Sequence, residues 1–493
     1  MRLKNILPAL CMALSLPVGA QEYMEYGMYS DNTAAYIPVS DIDSITYGDH
    51  PELEDNVVGV LARNPKASIF YAALVETGMA DSLRTNLFDY GFKHTVAPGW
   101  LYWHFYGTPY TERENRQNKF TVFAETDEAY LACVLGQAIN KEVVTSVSDK
   151  LKIVYTPFHG AGYKLVPEAL KRLGVTRLYP VPEQMVLDGN FPTVASPNPE
   201  NPEGFYLAVA LAKKVGSDLI IGTDPDSDRI GVMVRDGEDY TPITGNQLGV
   251  LLLDYIINAR REAGTLPENA GAVKSIVTTE MAKVVAETNG VHFEDTFTGF
   301  KFMAERVAEW EKTGTYKYIF AYEESYGYMM GDYVRDKDAV TASMMVAEMA
   351  AHYLAKGMNL KQAMESLYEK YGYYEERTLN LLMPGLDGIE KMKNLMADLR
   401  NDPPKFISGT EVFCIRDYST GDLIVPKLGV MGQTDIKGSN VLYFELADET
   451  AFIVRPSGTE PKVKVYILAK GENRAECDEK VAKYVEYAET LRR

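Results

Sequence analysis

Residues 151–180 read LKIVYTPFHGAGYKLVPEALKRLGVTRLYP. An apolar run from Leu151 to Thr156 is followed by a glycine-bearing turn, PFHGAG. Next comes KLVPEALKRLG, whose apolar residues recur at helical spacing, and then a second strand-like run, TRLYPV. Strand, turn, helix and strand form the unit of a layered α/β fold, in which helices pack on sheets and reactive groups collect in loops at strand ends. The alternation continues downstream. DLIIGT (218–223), GVMVR (231–235), SIVTT (275–279) and YKYIFAY (316–322) read as strands interleaved with helical stretches. MNLKQAMESLYEKYGYYEER (358–377) leads into a helix-rich linker around Pro384 to Pro404. From about Lys405 several strands and a closing helix near Arg474 to Leu491 read as a separate, smaller α+β domain.

The chain has 493 residues, and at roughly 150 residues per domain this predicts about three domains. With 46% hydrophobic and 24% charged residues it is a folded protein by composition, neither disordered nor fibrous. Lys+Arg 50 against Asp+Glu 69 leaves a net charge of −19, which excludes a general electrostatic grip on nucleic acid or on an anionic membrane. Cys11, Cys133, Cys414 and Cys477 are scattered without CxxC spacing, so neither a zinc site nor a disulfide framework is read from them.

The first 135 residues are of another kind. Arg2 and Lys4 precede an apolar run from Ile6 to Leu16, then Pro17 and the small residues Val18, Gly19 and Ala20. This predicts a secretory signal over 1–20, cleaved after Ala20 and implying export to the periplasm or the medium. Pro8 and Pro17 oppose a buried helix, and the run is too short to span a bilayer, so no stable membrane insertion is expected after cleavage. SIFYAALVETGMADSL (68–83) has helical spacing, and KFTVFAETDEAYLA (119–132) reads as a strand entering a helix. These two segments resemble parts of the fasciclin repeat, which implies a partial fasciclin-like α+β segment over 21–135. The aromatic run PGWLYWHFYGTPY (98–110) reads as core or hairpin packing rather than a sugar platform. His94 and His104 lack a carboxylate or Cys at ligand spacing, and no metal is assigned to them.

Three strand-end loops carry chemistry. In TDPDSDR (223–229), Asp224, Asp226 and Asp228 at alternate positions can aim three carboxylates to one side, where their repulsion calls for a cation. An all-oxygen set suits Mg²⁺, and Arg229 would sit beside it as a hydrogen-bond donor to a phosphate. In YEESYG (322–327), Glu323 and Ser325 at i and i+2 can bond neighbouring sugar hydroxyls. In RPSGTEPK (455–462), Arg455 offers bidentate donors, Ser457 and Thr459 offer hydroxyls, and Gly458 lets backbone N–H groups turn to one anion, with Lys462 and Lys464 adding charge.

In this order the three loops resemble those of the α-D-phosphohexomutases, the phosphoglucomutase and phosphomannomutase family, whose loops read DGDxDR, GE(E/M)S and RxSGT. TPFHGAG (156–162), LDGNFPTVASPNPENPEG (187–204), TGFKF (298–302) and RDKDA (335–339) look like the phosphoglucomutase branch. The resemblance covers residues from about 137 to 490. It implies consecutive α/β domains over 136–260 and 261–384 and a C-terminal α+β domain over 405–493. It further implies an isomerase of the intramolecular phosphotransferase class that interconverts hexose 1-phosphate and hexose 6-phosphate, with Mg²⁺ as cofactor and glucose 1,6-bisphosphate as activator or intermediate, and a cytoplasmic location, opposite to the export that the signal implies. By position, Asp224, Asp226 and Asp228 would bind Mg²⁺ and Arg229 would contact the reacting phosphate. Glu323 and Ser325 would hold the sugar. Arg455, Ser457, Gly458 and Thr459 would hold the non-reacting phosphate, and Lys337 would lie near the sugar as a catalytic residue with Arg229, either shuttling protons or stabilising charge. The family's phosphoryl carrier is a serine within Thr-Ala-Ser-His-Asn-Pro of its first domain, and that string does not occur in this sequence. Ser196, in VASPNP, matches the second domain and is not assigned the role. The expectation is therefore retained binding with impaired turnover; the alternatives are an exported fasciclin-like adhesion protein or a non-catalytic phosphosugar-binding protein.

Overall fold

The computed structural model describes residues 127–492 apart from 386 and 459, together with the backbone of six strands between Tyr23 and Ala124. The expected signal over 1–20, Cys11, the helix expected over 68–83, the side chains of His94, His104 and the aromatic run, and Thr459 lie outside the described residues. In the N-terminal part, the backbones of Phe88–Ala97, Trp100–Pro109 and Asn118–Ala124 form an antiparallel meander.

Helices α1 (Asp127–Leu135) and α2 (Lys141–Ser146) lead into a first sheet. It is built from β1 (Lys152–Thr156), β2 (Arg177–Pro180), β3 (Leu219–Thr223), β4 (Ile230–Asp236) and β5 (Asp239–Ile243). Its order is β5-β4-β3-β1-β2; β1 is parallel to β2 and β3, and β4 runs antiparallel to both its neighbours. Helices α3 (Gly162–Leu173) and α4 (Tyr206–Val215) are the crossovers. All five residues of β3 are buried, as a strand covered on both faces requires.

Helix α5 (Gly245–Glu262) opens with a Thr244–Gln247 capping box. The second sheet contains β6 (Ala270–Ser275), β7 (His292–Thr296), β8 (Lys317–Glu323) and β9 (Gly327–Met329), in the order β7-β6-β8-β9. Around it lie α6 (Met281–Thr288), α7 (Phe300–Thr313), α8 (Ala339–Ala355) and α9 (Leu360–Tyr371). Buried residues of both sheets and of α8 belong to one continuous core, running from Leu131 to Tyr374. Glu348 sits in that core with no accessible surface. Its carboxylate accepts the N–H groups of Ile139 and Asn140 at 3.0 Å each and the Tyr255 hydroxyl at 2.8 Å, so its charge is met by three donors.

The C-terminal domain comprises β10 (Tyr373–Leu382), α10 (Gly388–Asn401), β11 (Phe406–Ile407), β12 (Thr410–Asp417), β13 (Asp422–Val425), β14 (Gly429–Gln433), β15 (Leu442–Leu446), β16 (Ala451–Pro456), β17 (Lys462–Gly471) and α11 (Arg474–Thr490). Its sheet order is β10-β17-β16-β15-β12-β13-β14, with β11 against β12. It closes a separate core from Leu381 to Leu491.

Three sequence expectations shift. Residues 127–135, placed in the fasciclin-like segment, form α1; its Leu131 and Val134 enter the α/β core and Asp127 pairs with Lys164 at 2.6 Å. SIVTT is not the strand: β6 is AGAVKS, and Ile276–Thr279 turn away after it. The helix-rich stretch around Pro384 to Pro404 holds α10, but it lies inside the C-terminal domain rather than before it, because the preceding strand β10 pairs with β17 over its whole length. The C-terminal domain therefore begins near Tyr373.

Candidate active site

The loop between β3 and β4 folds around one carboxylate. Asp224 is fully buried; Oδ1 accepts the N–H groups of Asp228 at 3.0 Å and Arg229 at 2.9 Å, and Oδ2 accepts Arg229 Nε at 2.7 Å. Ser227 takes the left-handed conformation (φ 57°), which brings Asp226 and Asp228 round, and one oxygen from each of the three carboxylates lies within 4.8 Å of the others. Burial and then the charges of Asp228 and Asp226 push the Asp224 carboxyl up to about 8. A cation bound here would reverse that cost, and an all-oxygen donor set of this kind fits Mg²⁺. The PFHGAG turn backs the loop: Ala161 N–H donates to Pro225 O at 2.7 Å, and a Cβ on Gly160 would lie 2.3 Å from Pro225 Cα.

Two cations flank the triad. Arg229 is held by Asp224, with Nη1 3.4 Å from Glu200 of the PNPENPEG loop. Lys337 places Nζ 2.8 Å from Asp228 Oδ2 and 2.8 Å from Asp336 Oδ1, and 5.2 Å from the Phe300 ring centre. Its stem lies along Gly327, where a Cβ would come 2.3 Å from Lys337 Cδ. Burial disfavours the ammonium, but the hydrogen bonds to Asp228 and Asp336 outweigh it and raise its pKa. In this arrangement Lys337 is held as a positive charge beside the triad.

The EES loop is the turn of the β8–β9 hairpin. Glu323 pairs with Gly327, leaving Glu324, Ser325 and Tyr326 as a three-residue connection with Tyr326 left-handed at φ 70°. Glu323 is buried, accepts the Gly299 N–H, and has Ser325 Oγ 3.4 Å from Oε2. Burial raises its pKa, opposed by the Gly299 bond, the charge of Lys337 and, further down, that of Arg455. The acidic loop and this hairpin are joined directly. Ile230 N–H donates to Tyr326 O at 3.1 Å, Arg229 bridges to Gly327, and Ala339 N–H donates to Ser227 O at 3.0 Å.

The third loop is the β16–β17 hairpin. Arg455 stands opposite Lys464 in register, a pairing of like charges that costs stability unless an anion lies between. Arg455 Nη1 is 3.5 Å from the Tyr466 hydroxyl. Ser457 shapes the loop, donating its N–H to Lys462 O at 2.9 Å and accepting Glu460 N–H at 3.2 Å; Gly458 is exposed, and Lys462 pairs with Glu460 at 2.6 Å. Packing of Ile276, Val277 and Phe297 against Tyr418, Tyr443 and Tyr466 brings this domain onto the ends of β6 and β7.

Sequence models of the phosphoglucomutase/phosphomannomutase family match residues 128–237 (alpha/beta/alpha domain II), 244–371 (alpha/beta/alpha domain III) and 427–483 (C-terminal domain). The chain belongs to this family. The phosphoglucomutase of Staphylococcus aureus strain MRSA252 is 37% identical over 321 residues, 65% of this chain and 57% of that one. For strain MSSA476 the identity is 36% over 332 residues, 67% of this chain and 59% of the relative. The chain thus spans less than two thirds of the length of these relatives. Solved structures with the same fold include a putative phosphomannomutase from Thermus thermophilus, with TM-score 0.51 and 18% identity, covering 74% of this chain and 65% of that one. Another is the Paramecium phosphoglucomutase pp63/parafusin, with TM-score 0.52 and 16% identity, covering 79% of this chain and 65% of that one.

Within the family fold, the structure brings together Asp224, Asp226, Asp228, Arg229 and Lys337, and sets Glu323 and Ser325 on the adjoining hairpin. Sequence reasoning missed Glu200, which binds Arg229, Asp336, which binds Lys337, and the partners of Glu324 described below. The PNPENPEG string carried a signal for the first: Pro199 is seated against Gly231, where a Cβ would lie 2.7 Å from its carbonyl oxygen.

Proposed function

We propose that this chain supplies the metal, sugar and phosphate loops of a phosphoglucomutase-type phosphohexomutase acting on hexose 1- and 6-phosphates. The observation that carries the reading is the direct joining of the acidic triad to the EES hairpin through Arg229, Gly327 and Lys337, with Arg455 close enough for its charge to act on Glu323. Asp224, Asp226 and Asp228 would hold Mg²⁺, which when bound neutralises charge on a transferring phosphoryl group. Arg229, fixed by Asp224, presents its remaining donors to that phosphate. Lys337 holds a positive charge at the oxygen where charge develops. Glu323 and Ser325 bond the sugar hydroxyls, and Arg455 with Lys464 holds the second phosphate. Glucose 1,6-bisphosphate is the expected intermediate and activator. In the mutase reaction a carrier P–O bond breaks as a sugar P–O bond forms, and the family's carrier string does not occur in this sequence. We therefore assign binding to this chain, with little or no turnover of its own.

A coupled assay with glucose 1-phosphate, Mg²⁺ and catalytic glucose 1,6-bisphosphate tests turnover, and isothermal titration with glucose 6-phosphate tests binding. The expected result is binding that Arg455→Ala weakens, with no appreciable turnover. Robust turnover would refute the missing carrier, and no binding by the parent chain would refute the site. For residues 1–20 and 21–126 the reading is a signal and a partial fasciclin-like segment, with the signal implying export and the mutase resemblance the cytoplasm; N-terminal sequencing of fractionated cells decides, a mature end at Gln21 outside the cytoplasm favouring export and a full-length cytoplasmic chain overturning it.

A further inference from the structure

The residue between the two sugar-facing side chains is itself bound, on the opposite side of the loop. Glu324 N–H donates to Thr278 Oγ1 at 3.2 Å, and Thr278 Oγ1 donates in turn to Glu324 Oε2 at 3.2 Å. Ser275 Oγ lies 3.2 Å from the same carboxylate oxygen and 2.8 Å from Thr278 Oγ1. One threonine hydroxyl thus meets both the main chain and the side chain of Glu324, and a serine hydroxyl completes the set. Ser275 and Thr278 are themselves buried, at the turn where the chain leaves β6. Above the clamp the turn is pressed against the start of α5: a Cβ on Gly245 would lie 2.1 Å from Glu324 O and 3.0 Å from Tyr326 N.

A three-residue turn has few other ways to hold its shape. Glu323 is fixed by Gly299, and the peptide after Tyr326 by Ile230. Ser325, at the tip, has one long bond to Glu323 and depends on its neighbours for its place. We propose that Glu324, gripped by Thr278 and Ser275, is the positioning residue of the sugar-reading hairpin, setting the spacing of Glu323 and Ser325 without touching the ligand. This deepens the hexose-phosphate reading and rests on it. The phosphate grip of Arg455 is on the C-terminal domain, which meets this turn through Ile276 and Val277; the hydroxyls of Thr278 and Ser275 point instead to Glu324.

The test compares two ligands on one protein, glucose 6-phosphate and inorganic phosphate, by isothermal titration of the full chain. Thr278→Val removes the hydroxyl at nearly constant volume. It is expected to lower affinity for glucose 6-phosphate by about tenfold, the scale of one or two lost positioning bonds, and to leave inorganic phosphate affinity unchanged. Thr278→Ser, which keeps the hydroxyl, is expected to bind both ligands as the parent does. Equal affinity of parent and Thr278→Val for glucose 6-phosphate, or an equal loss for both ligands, would overturn the clamp. A parent chain that binds glucose 6-phosphate no better than phosphate would instead overturn the sugar-loop reading. If Thr278→Val does not fold, Ser275→Ala, which removes the other hydroxyl on Glu324 Oε2 and no charge, supplies the same comparison.

Discussion

Lys337 holds the place of a counter-ion to the acidic triad, and removing its charge should tighten Mg²⁺ binding. Its Nζ lies 2.8 Å from Asp228 Oδ2, with side-chain exposures of 20% and 27%. At that separation the attraction is about 1.5 kcal/mol in water and about 6 kcal/mol at an effective dielectric near 20. Ordering and desolvation of a half-buried pair cancel much of this, leaving a net of about 1–2 kcal/mol. A cation entering the triad must displace that bond or share Asp228 with an ammonium. Lys337→Met keeps the stem along Gly327 and against Phe300 and removes only the charge. Titration of MgCl₂ into the parent and the variant should show about tenfold tighter binding in the variant, as roughly 1.4 kcal/mol corresponds to tenfold. Unchanged or weaker Mg²⁺ affinity in a variant that melts with the parent would show that Lys337 does not compete for Asp228.

Gly160→Ala places a methyl 2.3 Å from Pro225 Cα, against main chain that cannot swing aside. It should destabilise the protein by roughly 1–3 kcal/mol and weaken Mg²⁺ binding, read by thermal melts with and without the ion; an unchanged melting temperature would contradict the close approach. Burial pushes the Glu376 carboxyl up to about 8 and that of Glu324 to about 7, against an ordinary value of 4.5. Both are acids with raised folded pKa, so their contribution to stability is complete below about 4.5 and is lost as pH rises through 7 and 8. The melting temperature should therefore fall from pH 5 to 9, by less in Glu376→Gln; parallel profiles would refute the assignment.

The chemistry is legible where it concentrates locally. TDPDSDR and RPSGTEPK crowd charged donors and acceptors into a few residues at the end of an apolar strand, and few structural demands produce such density. What sequence could not supply was pairing across the chain. Glu324 reads as a surface charge until Thr278 and Ser275 are brought beneath it. Lys274 lies fully buried in a strand because Glu280 and Asp295 meet its ammonium at 3.0 and 2.9 Å, partners that nothing in AGAVKS announces. The same strand explains the misplaced SIVTT. Its β-branched residues suit a strand by propensity, but buried hydrogen bonds at Ser275 and Thr278 make it the turn that leaves one. Likewise YYEERTLNLL, which carries charges along one edge, gives no sign of the domain boundary, although its ladder with β17 joins it to the C-terminal sheet.

Helix α8 has fourteen buried residues and packs among elements of both α/β layers. Two sheets that share one interior should melt together, so residues 127 to about 372 form one cooperative unit; the C-terminal sheet has an interior of its own and shares only a smaller cluster, Phe297 with Tyr443 and Tyr466, with the second sheet. Any recombination of this gene, natural or engineered, is then least disruptive near Tyr373, where it divides that smaller cluster rather than the shared interior. A cut between the two α/β repeats, which the sequence presents as an obvious seam, would divide an indivisible body.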